Sequence, residues 1–69
     1  MNKAILYQFG ERASARVEMA ATPGLRWIET RVDGKPEHVY SGLVERDDVA
    51  SRMTLLARVF GGGAVCQVA

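Results

Sequence analysis

The chain has 69 residues, 48% of them hydrophobic, and nine basic side chains against eight acidic ones give it a net charge of +1. A domain of this size buries only about 60% of its unfolded surface, and its single cysteine and single histidine exclude an internal disulfide and a four-ligand zinc site. The interleaved, nearly balanced charges argue against bulk attraction to nucleic acid or to anionic membranes.

Residues 3–9 and 12–20 are predicted to form the first two strands, with a tight turn at Gly10 and Glu11 between them. The second strand alternates strictly in polarity along its length. Its apolar positions are Ala13, Ala15, Val17 and Met19, and its polar positions are Arg12, Ser14, Arg16 and Glu18. Such alternation is typical of an antiparallel strand with one buried and one solvated face.

The apolar start of the first strand does not resemble a secretion signal, because Gln8 interrupts it after four residues. No apolar stretch approaches the 18 or so residues that a transmembrane helix needs. A lone free thiol suits a reducing compartment. We therefore expect a cytoplasmic protein that makes no contact with membranes.

A β-hairpin is predicted in the segment LRWIETRVDGKPEHVYSGL, residues 25–43, because Asp33-Gly34 suits a two-residue type I′ turn. The register that follows from this turn pairs Val32 with Lys35, Thr30 with Glu37, Glu29 with His38, Ile28 with Val39 and Trp27 with Tyr40. Both faces of such a hairpin are partly apolar. A hairpin covered by one helix needs only one apolar face, so the second apolar face suggests a surface that another chain covers.

Residues 47–60, DDVASRMTLLARVF, are predicted to form a helix, with Asp47 or Asp48 capping its N-terminus. Its apolar stripe consists of Val49, Met53, Leu56 and Phe60. Leu55 and Val59 widen this stripe beyond the roughly 100° that packing on one surface requires. The helix therefore also has more apolar surface than a single sheet face can cover.

Gly61, Gly62 and Gly63 follow the helix, and no strand precedes them and no lysine follows them, as a phosphate-binding loop would require. Glycine in a left-handed conformation is a common helix terminator, which is the role we expect here. Residues 64–68 are then predicted to form a short last strand. The predicted fold is α+β: a small antiparallel sheet in the order β-β-β-β-α-β with one helix packed on one face.

The side chains that most often carry chemistry are isolated in this sequence. His38 has only Glu29 as a predicted neighbour, and Cys66 lies in an apolar strand without a nearby cation to activate its thiol. Asp47 and Asp48 lack the spaced oxygen ligands of a calcium loop. We therefore expect no enzymatic activity, no bound metal and no cofactor.

Four arginines, Arg12, Arg16, Arg26 and Arg31, lie on the second and third strands. Beside Trp27, Tyr40 and Tyr7 they could form a basic ridge with stacking aromatic rings, which is the arrangement that single-stranded nucleic acids prefer. Acidic residues in the same strands and the balanced charge weaken that interpretation. Nucleic-acid binding remains an alternative, as does a structural or regulatory subunit of a larger assembly.

The surplus of apolar surface on the hairpin and on the helix favours a non-catalytic protein-interaction module, expected to be a homodimer. Aromatic and arginine side chains dominate the energetics of protein interfaces. The predicted partner-binding residues are Arg26, Trp27, Arg31, Tyr40, Arg12 and Arg16. The predicted dimer interface consists of Leu55, Val59 and Cys66.

The segment ARVE at residues 15–18, the turn sequence RVDGK at residues 31–35 and the helix that follows resemble a small phage-encoded inhibitor of bacterial defence, of the anti-CRISPR type. The resemblance covers about a third of the chain. It implies an inhibitor that blocks a host nucleic-acid-handling defence complex by occupying its surface, without a cofactor. The partner would then be a host protein or protein complex.

Overall fold

A computed structural model describes residues 4–61 of the chain and the backbone of residues 66–67. The strands are β1 (Ile5–Phe9), β2 (Ala13–Met19), β3 (Leu25–Val32), β4 (Lys35–Pro36), β5 (Gly42–Glu45) and β6 (Cys66–Gln67), and the helix is α1 (Val49–Phe60). Two short 3₁₀ turns, His38–Tyr40 and Arg46–Asp48, precede β5 and α1. The predicted α+β class is confirmed.

The strands form one antiparallel sheet in the order β4-β3-β2-β1-β6, and β5 pairs with β3 as well. Because β2 occupies one edge of β3 along most of its length, β4 and β5 share the other edge. The fourth strand expected from the sequence is therefore split into two short pieces. The predicted last strand, residues 64–68, is described only at Cys66–Gln67, which pairs with β1.

The Asp33-Gly34 turn has positive φ at both positions, 54° and 79°, as a type I′ turn requires. Val32 lies opposite Lys35, as predicted. Thr30 also lies opposite Glu37 as predicted, since the amide of Glu37 donates to the carbonyl of Thr30 over 2.8 Å. The remaining predicted pairs are wrong, because the 3₁₀ turn His38–Tyr40 loops out of the strand. Trp27 consequently lies opposite Leu43 instead of Tyr40.

Ser41 fills the gap that the looped-out turn leaves in the hydrogen-bond ladder. The amide of Thr30 donates to Ser41 Oγ over 3.0 Å, and the Ser41 hydroxyl donates to the carbonyl of Glu37 over 2.7 Å. The hydroxyl of Thr30, which is fully buried, donates to the carbonyl of Tyr40 over 2.7 Å. These bonds satisfy the polar groups that the interruption would otherwise leave unpaired inside the fold.

Helix α1 packs across one face of the sheet and encloses the core between the two layers. The buried apolar side chains are Phe9, Ala13, Ala15, Val17, Ile28, Met53, Leu56 and Ala57. Burying a side chain as large as Phe9 or Leu56 contributes about 1.5–3 kcal/mol. Tyr40 belongs to this side of the sheet, where its ring meets Phe60 edge-on at a centroid distance of 5.4 Å.

Both ends of α1 differ in detail from the sequence prediction. Asp48 occupies the N-cap position, but its side chain makes no capping hydrogen bond. Gly61 directly follows the helix, as expected, with a φ of −117° that is not left-handed. Gly62 and Gly63, where a left-handed terminator was also expected, lie outside the described residues.

Gly61 is needed because the helix end approaches the β1–β2 turn backbone to backbone. A Cβ atom on Gly61 would lie 2.9 Å from the amide nitrogen of Gly10 and 3.0 Å from Cα of Phe9. Gly10 has a φ of +62°, and its own Cβ would lie 2.7 Å from the carbonyl oxygen of Phe60. The two glycines therefore set how closely the helix is held against the sheet.

Candidate interaction surface

The sheet face opposite α1, here called the outer face, brings several of the predicted site residues together. Its residues are Leu6, Gln8, Ser14, Arg16, Glu18, Leu25, Trp27, Glu29, Arg31, Leu43 and Glu45. Three large apolar side chains on it are open to solvent, with exposed fractions of 39% for Leu6, 41% for Trp27 and 58% for Leu43.

Leu25, Trp27 and Leu43 form a continuous apolar patch at one corner of the outer face. Trp27 and Leu43 are direct cross-strand partners, and Leu25 is the next outer-face residue of β3. The amide of Arg46 donates to the carbonyl of Gly24 over 2.8 Å, which makes Trp27 and Leu43 a non-hydrogen-bonded pair. Side chains approach more closely in pairs of this kind.

Two carboxylates border the apolar patch. Glu18 of β2 lies opposite Trp27, and Glu45 of β5 lies opposite Leu25. An open depression of about 400 Å³, lined by the loop before β3 and by Glu45 with the turn that follows it, adjoins the patch at its Leu25 end. The patch is therefore an apolar area with an acidic border.

The arginines of the outer face each have a carboxylate beside them on the same strand. Arg16 pairs with Glu18 over 3.6 Å, and Arg31 pairs with Glu29 over 3.2 Å. Exposed pairs of this kind contribute little to stability, but they cancel much of the local positive potential. The outer face consequently carries alternating charges and not the basic ridge that the sequence suggested.

Arg12 lies at one end of the sheet, directly before β2, and joins the β1–β2 turn to the β3–β4 turn. Its guanidinium donates to both carboxylate oxygens of Asp33, with a shortest distance of 2.7 Å. The hydrogen bonds from Arg12 hold the pKa of Asp33 below its ordinary value, and those to Asp33 raise the pKa of Arg12.

The six predicted partner-binding residues are divided among three places. Arg16, Trp27 and Arg31 share the outer face. Arg26 and Tyr40 lie on the helix side of the sheet, Arg26 in register with Val44 and Tyr40 against Phe60. The expected cluster of Trp27 with Tyr40 and Arg26 is therefore not formed. Leu43 and Glu45 were not predicted as site residues, because their positions opposite Trp27 and Leu25 result from the interrupted register.

The predicted dimer residues Leu55 and Val59 form a second exposed apolar area, here called the helix flank. They lie one turn apart on α1, and their exposed fractions are 46% and 48%. The backbone of Cys66 lies opposite Gln8, whereas the Cys66 side chain lies outside the described part of the structure. The helix flank is separated from the outer face by the thickness of the sheet.

Sites for other chemistry are not found among the described residues. In that part of the chain no three His, Cys, Asp or Glu side chains come together as metal ligands, and no helix is long and apolar enough to cross a membrane. His38 is exposed on its 3₁₀ turn and is not the cross-strand partner of Glu29 that was predicted, because the turn shifts the register by three residues. Comparisons of the chain with protein-family models, with curated proteins and with solved structures found no match.

Proposed function

We propose that this protein is a non-catalytic interaction module that binds a protein partner through the apolar patch of its outer face. The observation that carries the proposal is the pairing of Trp27 with Leu43, two large side chains left open to solvent on adjacent strands. Contiguous exposed apolar surface with a polar border is characteristic of protein-binding sites.

The position of the patch on a sheet favours binding without a large loss of conformational entropy. β3 is hydrogen-bonded on both edges, so the backbone beneath Leu25 and Trp27 is already fixed before a partner arrives. Tryptophan is among the residues most enriched at energetic hot spots, where truncation weakens binding by about 2 kcal/mol or more. Preorganised anchors of this kind raise affinity because less ordering accompanies binding.

The resemblance to anti-CRISPR inhibitors extends the proposal to a class of partner. In that form the outer face occupies the surface of a host nucleic-acid-handling defence complex and blocks it sterically. Such a mechanism needs no cofactor and no catalytic side chain. The role of a structural or regulatory subunit would use the same patch, but with a permanent partner.

Direct nucleic-acid binding is less well supported by the arrangement of charges. Trp27, the exposed aromatic ring of the outer face, has Glu18 and Leu43 as its direct cross-strand neighbours, and Arg16 lies diagonally from it on β2. Arg16 and Arg31 each have a neighbouring carboxylate. Phosphates would therefore meet acidic side chains around the ring on which a base would have to stack.

The proposal is tested by affinity capture from a bacterial lysate treated with nuclease, using the tagged chain and two variants. Leu43→Asp places a charge in the patch, and Leu55→Asp places the same charge on the helix flank. We expect a stoichiometric protein to be recovered by the unchanged chain and by Leu55→Asp. Leu43→Asp should recover much less of it, because the loss of about 2 kcal/mol lowers the affinity roughly 30-fold.

Two results would contradict the proposal. One is the absence of any stoichiometric protein, and the other is a partner that is lost with Leu55→Asp but retained with Leu43→Asp. Binding of labelled oligonucleotides by the purified chain, weakening steeply with salt as counterions compete for the phosphates, would favour the nucleic-acid alternative instead.

A further inference from the structure

The apolar patch lies beside an open edge of the sheet, formed by β5. The bond from the amide of Arg46 to the carbonyl of Gly24 shows which residues of β5 face β3. In an antiparallel pair, alternate residues direct both backbone groups towards the partner strand, so Gly42 and Val44 face β3. Leu43 and Glu45 direct their backbone groups away from it.

Three backbone groups of β5 are thus available at this edge: the amide and the carbonyl of Leu43, and the amide of Glu45. β5 pairs only with β3 in the described part of the chain, and both residues are exposed. The carbonyl of Glu45 is directed into the 3₁₀ turn that it caps. An added antiparallel strand would form three hydrogen bonds here.

The neighbouring stretch of the same edge is protected against strand addition. Pro36 in β4 has no amide hydrogen to donate, and the 3₁₀ turn His38–Tyr40 interrupts the extended backbone. β5 contains no proline and no interruption of its extended backbone, although it is short. Its exposed edge also continues directly from Leu43 into the apolar patch.

We infer that β5 accepts an extended segment of the protein partner as an added antiparallel strand. This inference rests on the proposed function and describes how the same surface binds. The partner residue opposite Leu43 is apolar, because it extends the patch. The residue two positions earlier, opposite Glu45, is Lys or Arg, because the Glu45 carboxylate has no ion pair within residues 4–61.

The inference can be tested with a synthetic strand in place of the partner. The blocked hexapeptide Thr-Lys-Val-Leu-Val-Thr places its leucine opposite Leu43 and its lysine opposite Glu45. In a titration followed by ¹⁵N NMR, we expect the amides of Leu43 and Glu45 to shift most and to exchange more slowly with solvent. A peptide with glutamate instead of lysine should bind about threefold more weakly.

Glu45→Pro separates strand addition from side-chain contacts. Glu45 has a φ of −67° and a ψ of 144°, so proline fits its backbone, and the amide that proline removes points away from β3. We expect Glu45→Pro to keep its thermal stability and to lose the peptide-induced shifts. The matched variant Glu45→Ala should still bind the lysine peptide but should no longer prefer it to the glutamate peptide.

Three outcomes would overturn strand addition: equal peptide binding by Glu45→Pro and by the unchanged chain, shifts confined to residues away from β5, or a second copy of the chain already paired with this edge. Capture of the protein partner provides the link to the proposed function. A partner lost with Leu43→Asp but retained with Glu45→Pro would refute strand addition alone. A partner lost with both variants supports the two proposals together.

Discussion

Ser41 shows how a single side chain can replace backbone pairing. Its hydroxyl accepts from the amide of Thr30 and donates to the carbonyl of Glu37, so it stands where a direct bond between the two strands would otherwise form. Nothing in the sequence pattern distinguishes this serine from a surface serine. Its role follows from the turn His38–Tyr40, which shifts the register of β5 against β3 by three residues relative to that of β4.

Removing the hydroxyl with Ser41→Ala should lower the free energy of unfolding by about 1–3 kcal/mol, because the Thr30 amide and the Glu37 carbonyl both lose a partner. Urea denaturation measures the change. Ser51→Ala is the matched control, since Ser51 is exposed on α1 and alanine favours helix, so its stability should remain the same or rise slightly. Equal stability of the two variants would show that Ser41 has no bridging role.

At the scale of the elements, local patterns predicted most of the structure. Strict alternation identified β2, the Asp-Gly pair identified the type I′ turn, and the apolar stripe identified α1. The register beyond Glu37 could not be predicted, because the three-residue turn His38–Tyr40 depends on tertiary contacts such as that between Tyr40 and Phe60. The close approach of Gly10 and Gly61, 51 positions apart in the sequence, is likewise a tertiary feature.

The contact between the helix end and the β1–β2 turn predicts that Gly10→Ala is more destabilising than Gly24→Ala. Both residues have positive φ, at +62° and +88°, so alanine is strained by roughly 1 kcal/mol at either position. At Gly24 nothing lies within 4 Å of the added Cβ, whereas at Gly10 it meets the carbonyl oxygen of Phe60 at 2.7 Å.

Overpacking of that kind adds about 1–3 kcal/mol to the loss of stability at Gly10. Thermal or urea unfolding of the two variants, measured side by side, isolates the cost of overpacking at Gly10, because both variants carry backbone strain from a positive φ. If the two variants unfold at the same denaturant concentration, the helix end does not depend on the close approach.

At the scale of the whole molecule, the candidate site was only partly predictable. Trp27 and Arg31 could be assigned to one face because they lie four residues apart on one strand, whereas the place of Arg16 on that face depends on the register of β2 against β3. The position of Leu43 opposite Trp27 could not be predicted, because it depends on the division of the edge strand into β4 and β5. The same division places Tyr40 on the helix side. The residue opposite Trp27 is therefore Leu43, whereas the predicted register placed Tyr40 there.

The molecule also has exposed apolar surface on two opposite sides, the apolar patch and the helix flank. Scattered apolar side chains are normal on protein surfaces, so the flank alone does not establish an interface. If a second copy covers the helix flank, the outer face stays open for a different partner. The dimer predicted from the sequence and the binding site proposed on the outer face are therefore compatible.

Sedimentation equilibrium distinguishes these arrangements. We expect the mass of the unchanged chain to rise from 7.6 kDa towards twice that value with concentration. Leu55→Asp should raise the dissociation constant of the dimer at least about tenfold, because about 1.5–3 kcal/mol of side-chain burial is lost. Leu43→Asp, which changes the outer face, should leave the dimer intact. A chain that stays at 7.6 kDa at every concentration, or a dimer broken by Leu43→Asp alone, would refute self-association through the helix flank.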